Sequence, residues 1–257
     1  MKHHAQNTLS YYTYDIFDQF PNLVAATFTR KGGVSTGPFS SLNVSWSATP
    51  ELNVGETREN VIKNTEIVRK ALSPQLKMVK SWQVHGDQIV KVTHKNCHEN
   101  FTGDSLITNE PNIGLLIKHA DCQVGIFYDI KNHALGVSHS GWKGSVLNIY
   151  KKTIEAMKEN YGTCAKDLLV AISPSLGPCH SEFKNYLTEF PKEFWNFQTK
   201  PNYFDLWALS KNQLIDAGIL PASIEIAKMC TYAHSDEFFS YRREKISGRN
   251  GTIAYLK

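Results

Sequence analysis

The chain has few cysteines, and they are not arranged as in a disulfide-bonded scaffold. Its 257 residues include five, which are Cys97, Cys122, Cys164, Cys179 and Cys230. Their number is odd, they are scattered, and none forms a C-x-x-C pair. Small secreted domains that depend on disulfides have paired, closely spaced cysteines instead, so we expect a protein of the reducing cytoplasm.

Long apolar runs and a large charge excess are also missing. No run reaches the roughly 18 residues that a membrane helix needs. Polar residues, rather than the apolar core of a secretory signal, follow Met1-Lys2-His3-His4. The formal net charge is only +4, which is too weak to indicate nucleic-acid binding but suits a small anionic substrate. We therefore expect a cytoplasmic protein with no membrane or nucleic-acid partner, and the sequence predicts nothing about protein partners.

The residues that are present describe a globular chain with a sizeable core. Hydrophobic residues make up 41% of the chain and charged residues 20%, which are ordinary globular values. Apolar patterns predict strands at 23–29, 78–82, 88–92, 113–118, 123–128, 134–138, 168–172, 223–227 and 252–256. Helices are predicted at 58–72, from Ser145 to about Asn160, and after an Asp205 cap.

These elements predict an α+β fold, in which a single compact domain has mixed β-sheet layers flanked by helices. The domain takes in residues 1–257, although the first 22 residues show no pattern that assigns them to an element. The two strands on either side of His85-Gly86-Asp87 are predicted to form a hairpin.

Chemistry-bearing residues follow two of the apolar strands. Cys122 lies in Ala120-Asp121-Cys122 after one strand, and His139 ends another. With His85 they would give a zinc site of three ligands and one open position, which is typical of catalysis. Taken singly, a cysteine after a strand is also a common core residue, and a histidine is often only a hydrogen-bonding group. Spacing alone leaves both interpretations open.

Acidic and basic residues near these positions are further candidates. Asp121 could carry a proton or orient a ligand. A cleft with a metal and several cationic groups would suit phosphate. The candidates for such a role are Arg30, Lys143, Arg242, Arg243 and Arg249. The alternative to phosphate binding is that each of them is an ordinary solvated surface charge.

Several segments, in order, resemble the motifs of the YfiH or "laccase-domain" family. They are Arg30-Lys31-Gly32-Gly33-Val34-Ser35, Ser41-Leu42-Asn43-Val44, Gln83-Val84-His85-Gly86, Asp104-Ser105-Leu106-Ile107-Thr108, Ala120-Asp121-Cys122, His139-Ser140-Gly141-Trp142-Lys143-Gly144, and Phe238-Phe239-Ser240-Tyr241-Arg242-Arg243 with Gly248-Arg249. The resemblance covers roughly residues 23–256 and implies a YfiH-like fold.

The resemblance also implies a function. Members are described as zinc-dependent enzymes that phosphorolyse adenosine, inosine, guanosine and methylthioadenosine and that deaminate adenosine. It implies that Zn²⁺ is held by His85, Cys122 and His139, with purine nucleosides and phosphate as the small-molecule partners. The implied catalytic residues are Asp121, Cys122 and Glu182, and the implied substrate- and phosphate-binding residues are Arg30, Asn43, Lys143 and Arg249.

The chain departs from the family pattern at four positions. Val124 stands where proline is usual, Ser140 replaces alanine and Lys143 replaces arginine, and Ser181 precedes Glu182 where tyrosine is usual. A lysine offers a point charge instead of a bidentate fork. The departures therefore affect phosphate affinity and the shape of the nucleoside pocket rather than the metal ligands.

Three other functions compete with this one. The family's older name suggests a copper-dependent polyphenol oxidase, but the chain has no His-X-His pair and no methionine beside Cys122. A metal-free cysteine hydrolase would use Cys122 as nucleophile and His139 as base. A binding protein that has lost turnover would keep the fold alone.

Overall fold

The computed structural model describes residues 1–46, 48–49 and 54–257. Its strands are β1 (Lys2–Gln6), β2 (Leu9–Thr13), β3 (Leu23–Phe28), β4 (Ala48–Thr49), β5 (Val54–Gly55), β6 (Lys77–Trp82), β7 (Ile89–Lys91), β8 (Phe101–Thr102), β9 (Ser105–Thr108), β10 (Ile113–His119), β11 (Gln123–Asp129), β12 (Ala134–Ser140), β13 (Leu168–Ile172), β14 (Gln198–Lys200), β15 (Tyr203–Phe204), β16 (Ile224–Ile226) and β17 (Asn250–Leu256). Its α-helices are α1 (Arg58–Leu72), α2 (Trp142–Val146), α3 (Ile149–Tyr161), α4 (Tyr186–Glu189), α5 (Leu206–Asp216) and α6 (Tyr241–Glu244).

Two mixed sheets form the centre of the molecule. The larger has the order β1-β2-β3-β17-β10-β6-β8, and the smaller has the order β16-β13-β11-β12-β9-β7. In the larger sheet β10 is parallel to β6 and antiparallel to β17. Two short hairpins, β4-β5 and β14-β15, complete the described strands.

The strands alternate their side chains between two different cores, as a period of two requires. In β10, Leu115 and Ile117 lie in a core shared with Val124 and Ile126 of β11, whereas Leu116 faces a second core that includes Val68 of α1. The opposite face of the smaller sheet packs on α3 and α5 in a third core. The result is a four-layer arrangement with one core between the sheets and one under each helical layer.

The fold agrees with the predicted class of mixed sheets flanked by helices, and α1 has its predicted bounds. Thr57 caps α1 by accepting a hydrogen bond from the Asn60 N–H, and Asp205 caps α5 by accepting from the Trp207 and Ala208 N–H groups. Residues 1–22, which showed no pattern, contain the hairpin of β1 and β2.

Two local predictions were wrong. The predicted hairpin around His85 does not form, because β6 belongs to the larger sheet and β7 to the smaller one. The helix predicted from Ser145 is split into α2 and α3. Asn148 adopts a left-handed conformation at φ 51° between them, and its side chain caps α3 by accepting from the Lys151 N–H.

No helix in the described parts of the chain combines the length and the apolar character that a bilayer crossing requires.

Candidate metal centre and its two cavities

Three distant side chains converge at the edge where the two sheets meet. The ligand atoms of His85, Cys122 and His139 all lie within 4.8 Å of one another. His85 lies in the loop after β6, Cys122 just before β11, and His139 on β12. The two imidazole rings are 4.9 Å apart, centroid to centroid, and nearly perpendicular. The set that the sequence suggested is therefore a spatial cluster.

Strand register explains how Cys122 reaches His139. β11 and β12 are antiparallel, with Gln123 opposite Ser140 and Val124 opposite His139. Asp121, at φ 87°, turns the chain tightly out of β10 and into this register. A slip of one residue would move the thiol to the other face of the sheet.

Gly141 leaves the space into which the ligand atoms point. A Cβ atom at this position would lie 2.9 Å from the Cys122 sulfur and 3.3 Å from Cδ2 of His85. Any side chain there would crowd both ligands. The glycine of the His-Ser-Gly-Trp motif is thus required by the centre itself.

Asp104 connects two of the three ligands. Its carboxylate accepts hydrogen bonds from the backbone N–H groups of Val84, His85 and Gly86, at 3.0, 3.1 and 2.9 Å. It also accepts from Nδ1 of His139 at 2.8 Å, and the side chain is fully buried. The segment 104–108 was among the recognised motifs, but sequence reasoning assigned no role to Asp104.

This contact sets the chemical form of His139. When Nδ1 donates to the carboxylate, the neutral imidazole has its proton on Nδ1, and Nε2 is the nitrogen that presents a lone pair to a metal. The left-handed backbone of His85, at φ 58°, is held in place by the same carboxylate. Asp104 therefore orients one imidazole directly and positions the loop that carries the other.

Electrostatics favour a thiolate at Cys122. Burial alone would raise the pKa of the thiol, but His139 and His85 outweigh it and lower the pKa to about 6. For His139, burial alone would lower the pKa of the imidazole, but Cys122 and Asp104 outweigh it and raise the pKa to about 9, so a metal ion that binds Nε2 would displace a proton from it. A thiolate is the form in which cysteine binds metals and acts as a nucleophile.

The donor set fits a zinc ion. For atoms that are at most 4.8 Å apart, one point lies within about 2.8 Å of all three, so movements of under about 1 Å give zinc bonds of roughly 2.0–2.3 Å. One sulfur and two imidazoles leave a fourth tetrahedral position for a substrate or water. A blue-copper centre usually adds a weak axial methionine, and among the described residues no methionine lines either neighbouring cavity.

Two cavities meet at this centre, and we call them cavity A and cavity B. Cavity A has a volume of about 560 Å³ and is lined by His85, Ala120, Asp121, Cys122, Gln123, Ser140, Gly141, Trp142, Leu176, Glu182, Phe183, Lys184, Asn185, Glu189, Leu206, Tyr241, Arg242 and Lys245. Cavity B has a volume of about 450 Å³ and is lined by Ser45, Trp46, Trp82, Gln83, His85, Lys118, His119, Ala120, Cys122, His139, Tyr241 and Arg249. Both linings include His85, Ala120, Cys122 and Tyr241, so the candidate metal ligands lie between the two cavities.

The predicted acidic residues both line cavity A. The Asp121 carboxylate accepts hydrogen bonds from the Thr231 hydroxyl and the Arg242 backbone N–H, at 2.7 and 2.6 Å. Both of its oxygens are thus used within the protein, which favours positioning over proton transfer. Glu182 is partly exposed, and its carboxylate forms no ion pair with any described residue. Arg242 fixes this segment by donating to the Glu182 carbonyl at 2.8 Å.

The predicted phosphate-binding residues are more dispersed. Arg249 lines cavity B. Lys143 is exposed, with its ammonium 5.5 Å from the Trp142 ring, and belongs to the lining of neither cavity. Asn43 is buried and holds Arg249 by accepting from its backbone N–H at 2.8 Å.

Arg30 lies at a different cavity, which is lined by residues of the N-terminal hairpin and by 235–237. Its guanidinium donates to Glu244 at 2.8 Å and to the carbonyls of Ser40 and Ser235, and it stacks on Phe239. Through these contacts Arg30 supports helix α6, so we do not include it among the phosphate ligands proposed below.

The Glu244 network gives a prediction about stability. Glu244 accepts from Arg30, Arg243 and Ser247 at 2.8–2.9 Å. Burial alone would raise its pKa, but these hydrogen bonds hold the pKa below its usual range. Glu244→Gln should therefore lower the free energy of unfolding by about 1–2 kcal/mol at pH 7, as measured by urea titration.

The sign of the pH dependence follows from that lowered pKa. The contribution of the Glu244 carboxylate is complete above its unfolded pKa of about 4.3 and is lost as the pH falls through the lower folded value. The difference in the free energy of unfolding between the wild type and Glu244→Gln should thus shrink near pH 3. Glu159→Gln, at an exposed position on α3, serves as the control and should change stability by less than about 0.5 kcal/mol. An equal difference at both pH values would contradict the network.

Comparison with known proteins identifies the family. The family model described as "Multi-copper polyphenol oxidoreductase laccase" matches residues 24–257. The chain belongs to this family. A relative from Bacteroides thetaiotaomicron named "Purine nucleoside phosphorylase" is 32% identical, with 92% of each chain covered. The "Purine nucleoside phosphorylase YlmD" of Bacillus subtilis is 30% identical, with 90% of this chain and 86% of that protein covered.

Solved structures agree with the laccase-domain assignment. The "hypothetical protein YfiH" of Bacillus licheniformis superposes with a TM-score of 0.85 at 26% identity and covers 98% of this chain and 97% of that one. YlmD of Geobacillus stearothermophilus gives the same TM-score over 99% and 98% of the two chains. The resemblance read from the sequence motifs is confirmed, and so is the fold.

Proposed function

We propose that this laccase-domain protein is a zinc-dependent purine nucleoside phosphorylase. Its substrates would be adenosine, inosine, guanosine and S-methyl-5′-thioadenosine, and it would also deaminate adenosine. The observation that supports this most strongly is the His85, Cys122 and His139 cluster at the junction of two cavities. The names of the relatives from Bacteroides and Bacillus point to the same reaction class.

Phosphorolysis needs two reactants on opposite sides of one carbon atom. The bond between C1′ and the purine nitrogen breaks, and its electron pair leaves with the base. A phosphate oxygen forms the new bond to C1′, and the base nitrogen takes up a proton. In cavity A, Trp142, Phe183 and Tyr241 offer aromatic faces on which a purine ring can stack.

The chain's own residues prepare the site for this reaction. Asp104 holds His139 in the form that exposes Nε2, and the Cys122 pKa favours the thiolate. When bound, a zinc ion would supply Lewis acidity at its open coordination position. Deamination would additionally require a carboxylate that carries a proton between water and the purine.

Glu182 is the carboxylate that we assign to proton transfer. It lines cavity A and forms no ion pair with the described residues, whereas Asp121 is hydrogen-bonded through both oxygens. Glu182→Gln should lower kcat for adenosine deamination by about 100-fold, with little change in the KM for adenosine. This loss lies at the lower end of what general acid–base catalysis usually contributes, because cavity A is open to water that can supply the proton.

Glu193→Gln is a suitable control for this variant. Glu193 is an exposed acid outside the cavity linings, and its replacement should leave kcat unchanged. If Glu182→Gln retains full kcat, another group must carry the proton, and Glu189 would be the next to test because it lines the same cavity.

The proposed function is tested by metal analysis together with product detection. Purified protein should contain about one zinc per chain, convert inosine to hypoxanthine and ribose 1-phosphate only when phosphate is present, and convert adenosine to inosine without it. Full turnover by metal-free protein would refute the zinc dependence. Nucleoside binding without any product would indicate a binding protein instead, and a blue absorption band after copper loading would support the oxidase.

A second candidate function has a specific observation in its favour. Cys122, His139 and Asp104 form a chain in which the thiol has a lowered pKa and the imidazole is hydrogen-bonded to a buried carboxylate. This resembles the arrangement of a cysteine hydrolase. The second imidazole, from His85, has no place in that mechanism, which is why we prefer the metal centre. Rapid inactivation by a thiol alkylator in protein without zinc would favour the hydrolase.

A further inference from the structure

Cavity B differs from cavity A in the charges along its walls. The lining of cavity A balances three carboxylates, from Asp121, Glu182 and Glu189, with three cationic side chains, from Lys184, Arg242 and Lys245. The described lining of cavity B includes no carboxylate but has two cationic side chains, from Lys118 and Arg249. An anion would therefore be attracted to cavity B, whereas a neutral purine ring suits the aromatic walls of cavity A.

Lys118 is a half-buried lysine near the end of β10. Its ammonium donates to the Ser81 carbonyl at 3.0 Å. Neither Lys118 nor Arg249 forms an ion pair with any residue in the described ranges, and the Arg249 guanidinium donates only to the carbonyls of Ser247 and Gly248. Burial, with contributions from Lys80 and Arg249, lowers the pKa of Lys118 to about 8.

Two cationic groups that face one cavity without a carboxylate partner are unfavourable in the free protein. Removing a charge from water costs free energy unless an opposite charge or hydrogen bonds replace the lost hydration. A bound oxyanion would supply both, through charge-assisted hydrogen bonds to the ammonium and the guanidinium. The arrangement is that of a preformed anion site.

We propose that Lys118 and Arg249 form the phosphate subsite of the enzyme, with phosphate in cavity B and the nucleoside in cavity A. This rests on the proposed phosphorolysis. His85, Cys122 and Tyr241 line both cavities, so a ribosyl C1′ at their junction would have the purine on one side and the phosphate on the other. Lys143 is exposed and lines neither cavity, so it places no positive charge in them. Lys118 would provide that charge instead.

Steady-state kinetics on the zinc-loaded protein test this subsite. Lys118→Gln should raise the phosphate KM by tenfold or more and change the nucleoside KM by less than about twofold, since a tenfold change corresponds to one lost charge-assisted contact of ordinary strength. Lys118→Arg should restore most of the phosphate affinity. Zinc content, measured in parallel, should match that of the wild type.

Lys80 provides a matched control. It is also a half-buried lysine, it lies on the neighbouring strand β6, and it does not line cavity B. Lys80→Gln should leave the phosphate KM unchanged. An equal rise in the phosphate KM for Lys80→Gln, or no rise for Lys118→Gln in an enzyme that carries out phosphorolysis, would overturn the subsite.

Labelling of the wild-type protein keeps the inference testable if the Lys118 variants fail to fold. Inorganic phosphate should slow the modification of Lys118 by an amine-reactive reagent, as followed by mass spectrometry, but should leave the modification of exposed Lys151 unchanged. This measurement needs no turnover. If the wild type forms no ribose 1-phosphate, the proposed function fails, and protection of Lys118 still decides whether the anion site exists. Equal labelling with and without phosphate would refute it.

Discussion

Cys122→Ala should remove bound zinc and nucleoside turnover together. The sulfur is one of the three proposed metal ligands, and the environment that lowers its pKa favours the thiolate that binds metal. Loss of a partner that merely orients a ligand usually costs 10–100-fold in metal affinity or activity, so loss of a ligand itself should exceed about 100-fold. Metal analysis and phosphate-dependent product formation on the same sample check this.

Cys164→Ala is the matched control for this prediction. Cys164 is an exposed free thiol far along the chain from the cluster, so its replacement should change neither the zinc content nor the rate. The free energy of unfolding of both metal-free variants should stay close to that of the metal-free wild type, which separates loss of the ion from loss of the fold. A Cys122→Ala protein that retains full turnover would refute the metal mechanism.

Asp104→Ala should have the second-largest effect, and it should act on stability as well as on the metal. Removing the carboxylate leaves three backbone N–H groups and Nδ1 of His139 without their acceptor in a fully buried position. A buried charged partner of this kind usually contributes about 3–5 kcal/mol to stability. Urea unfolding should detect this loss, and zinc competition with a chelator should show an affinity at least about tenfold lower.

Asp104→Asn separates the two roles of this residue. An asparagine keeps the shape and one acceptor oxygen, so the loss of stability should be smaller than for alanine. Its NH₂ group, if turned to His139, would donate to Nδ1 and move the imidazole proton to Nε2, where it competes with metal binding. Zinc affinity should therefore fall by at least as much as in Asp104→Ala.

Asp87→Asn is the control for both Asp104 variants. Asp87 belongs to the loop that carries His85, but it is 41% exposed and pairs with Lys152 at the surface. Surface ion pairs contribute about 0–1 kcal/mol, so this variant should keep nearly full stability and zinc affinity. If it lost as much as Asp104→Ala, the loop as a whole, rather than the buried carboxylate, would be responsible.

The sequence determined the local elements, and its motifs pointed to the candidate ligands. The cap at Thr57 and the apolar stripe that follows it fixed α1 within its predicted bounds, because caps and periodicity act over a few residues. His85, Cys122 and His139 stood out only through the family motifs, because a cysteine or a histidine at a strand end, taken singly, has ordinary structural uses as well. Asn148, in contrast, interrupts the predicted helix with a left-handed backbone conformation that the apolar pattern did not predict.

Only the tertiary structure decided how these residues work together. The register of β11 and β12 and the crossing of the His85 loop between the two sheets bring the ligands within 4.8 Å of one another. Asp104 gains its role because it is buried between the His139 ring and the backbone of the His85 loop. Lys118 gains its proposed role because it faces a cavity whose described lining has no carboxylate. Burial and charge balance depend on what the fold places around a side chain, and residues far apart in sequence supply those surroundings.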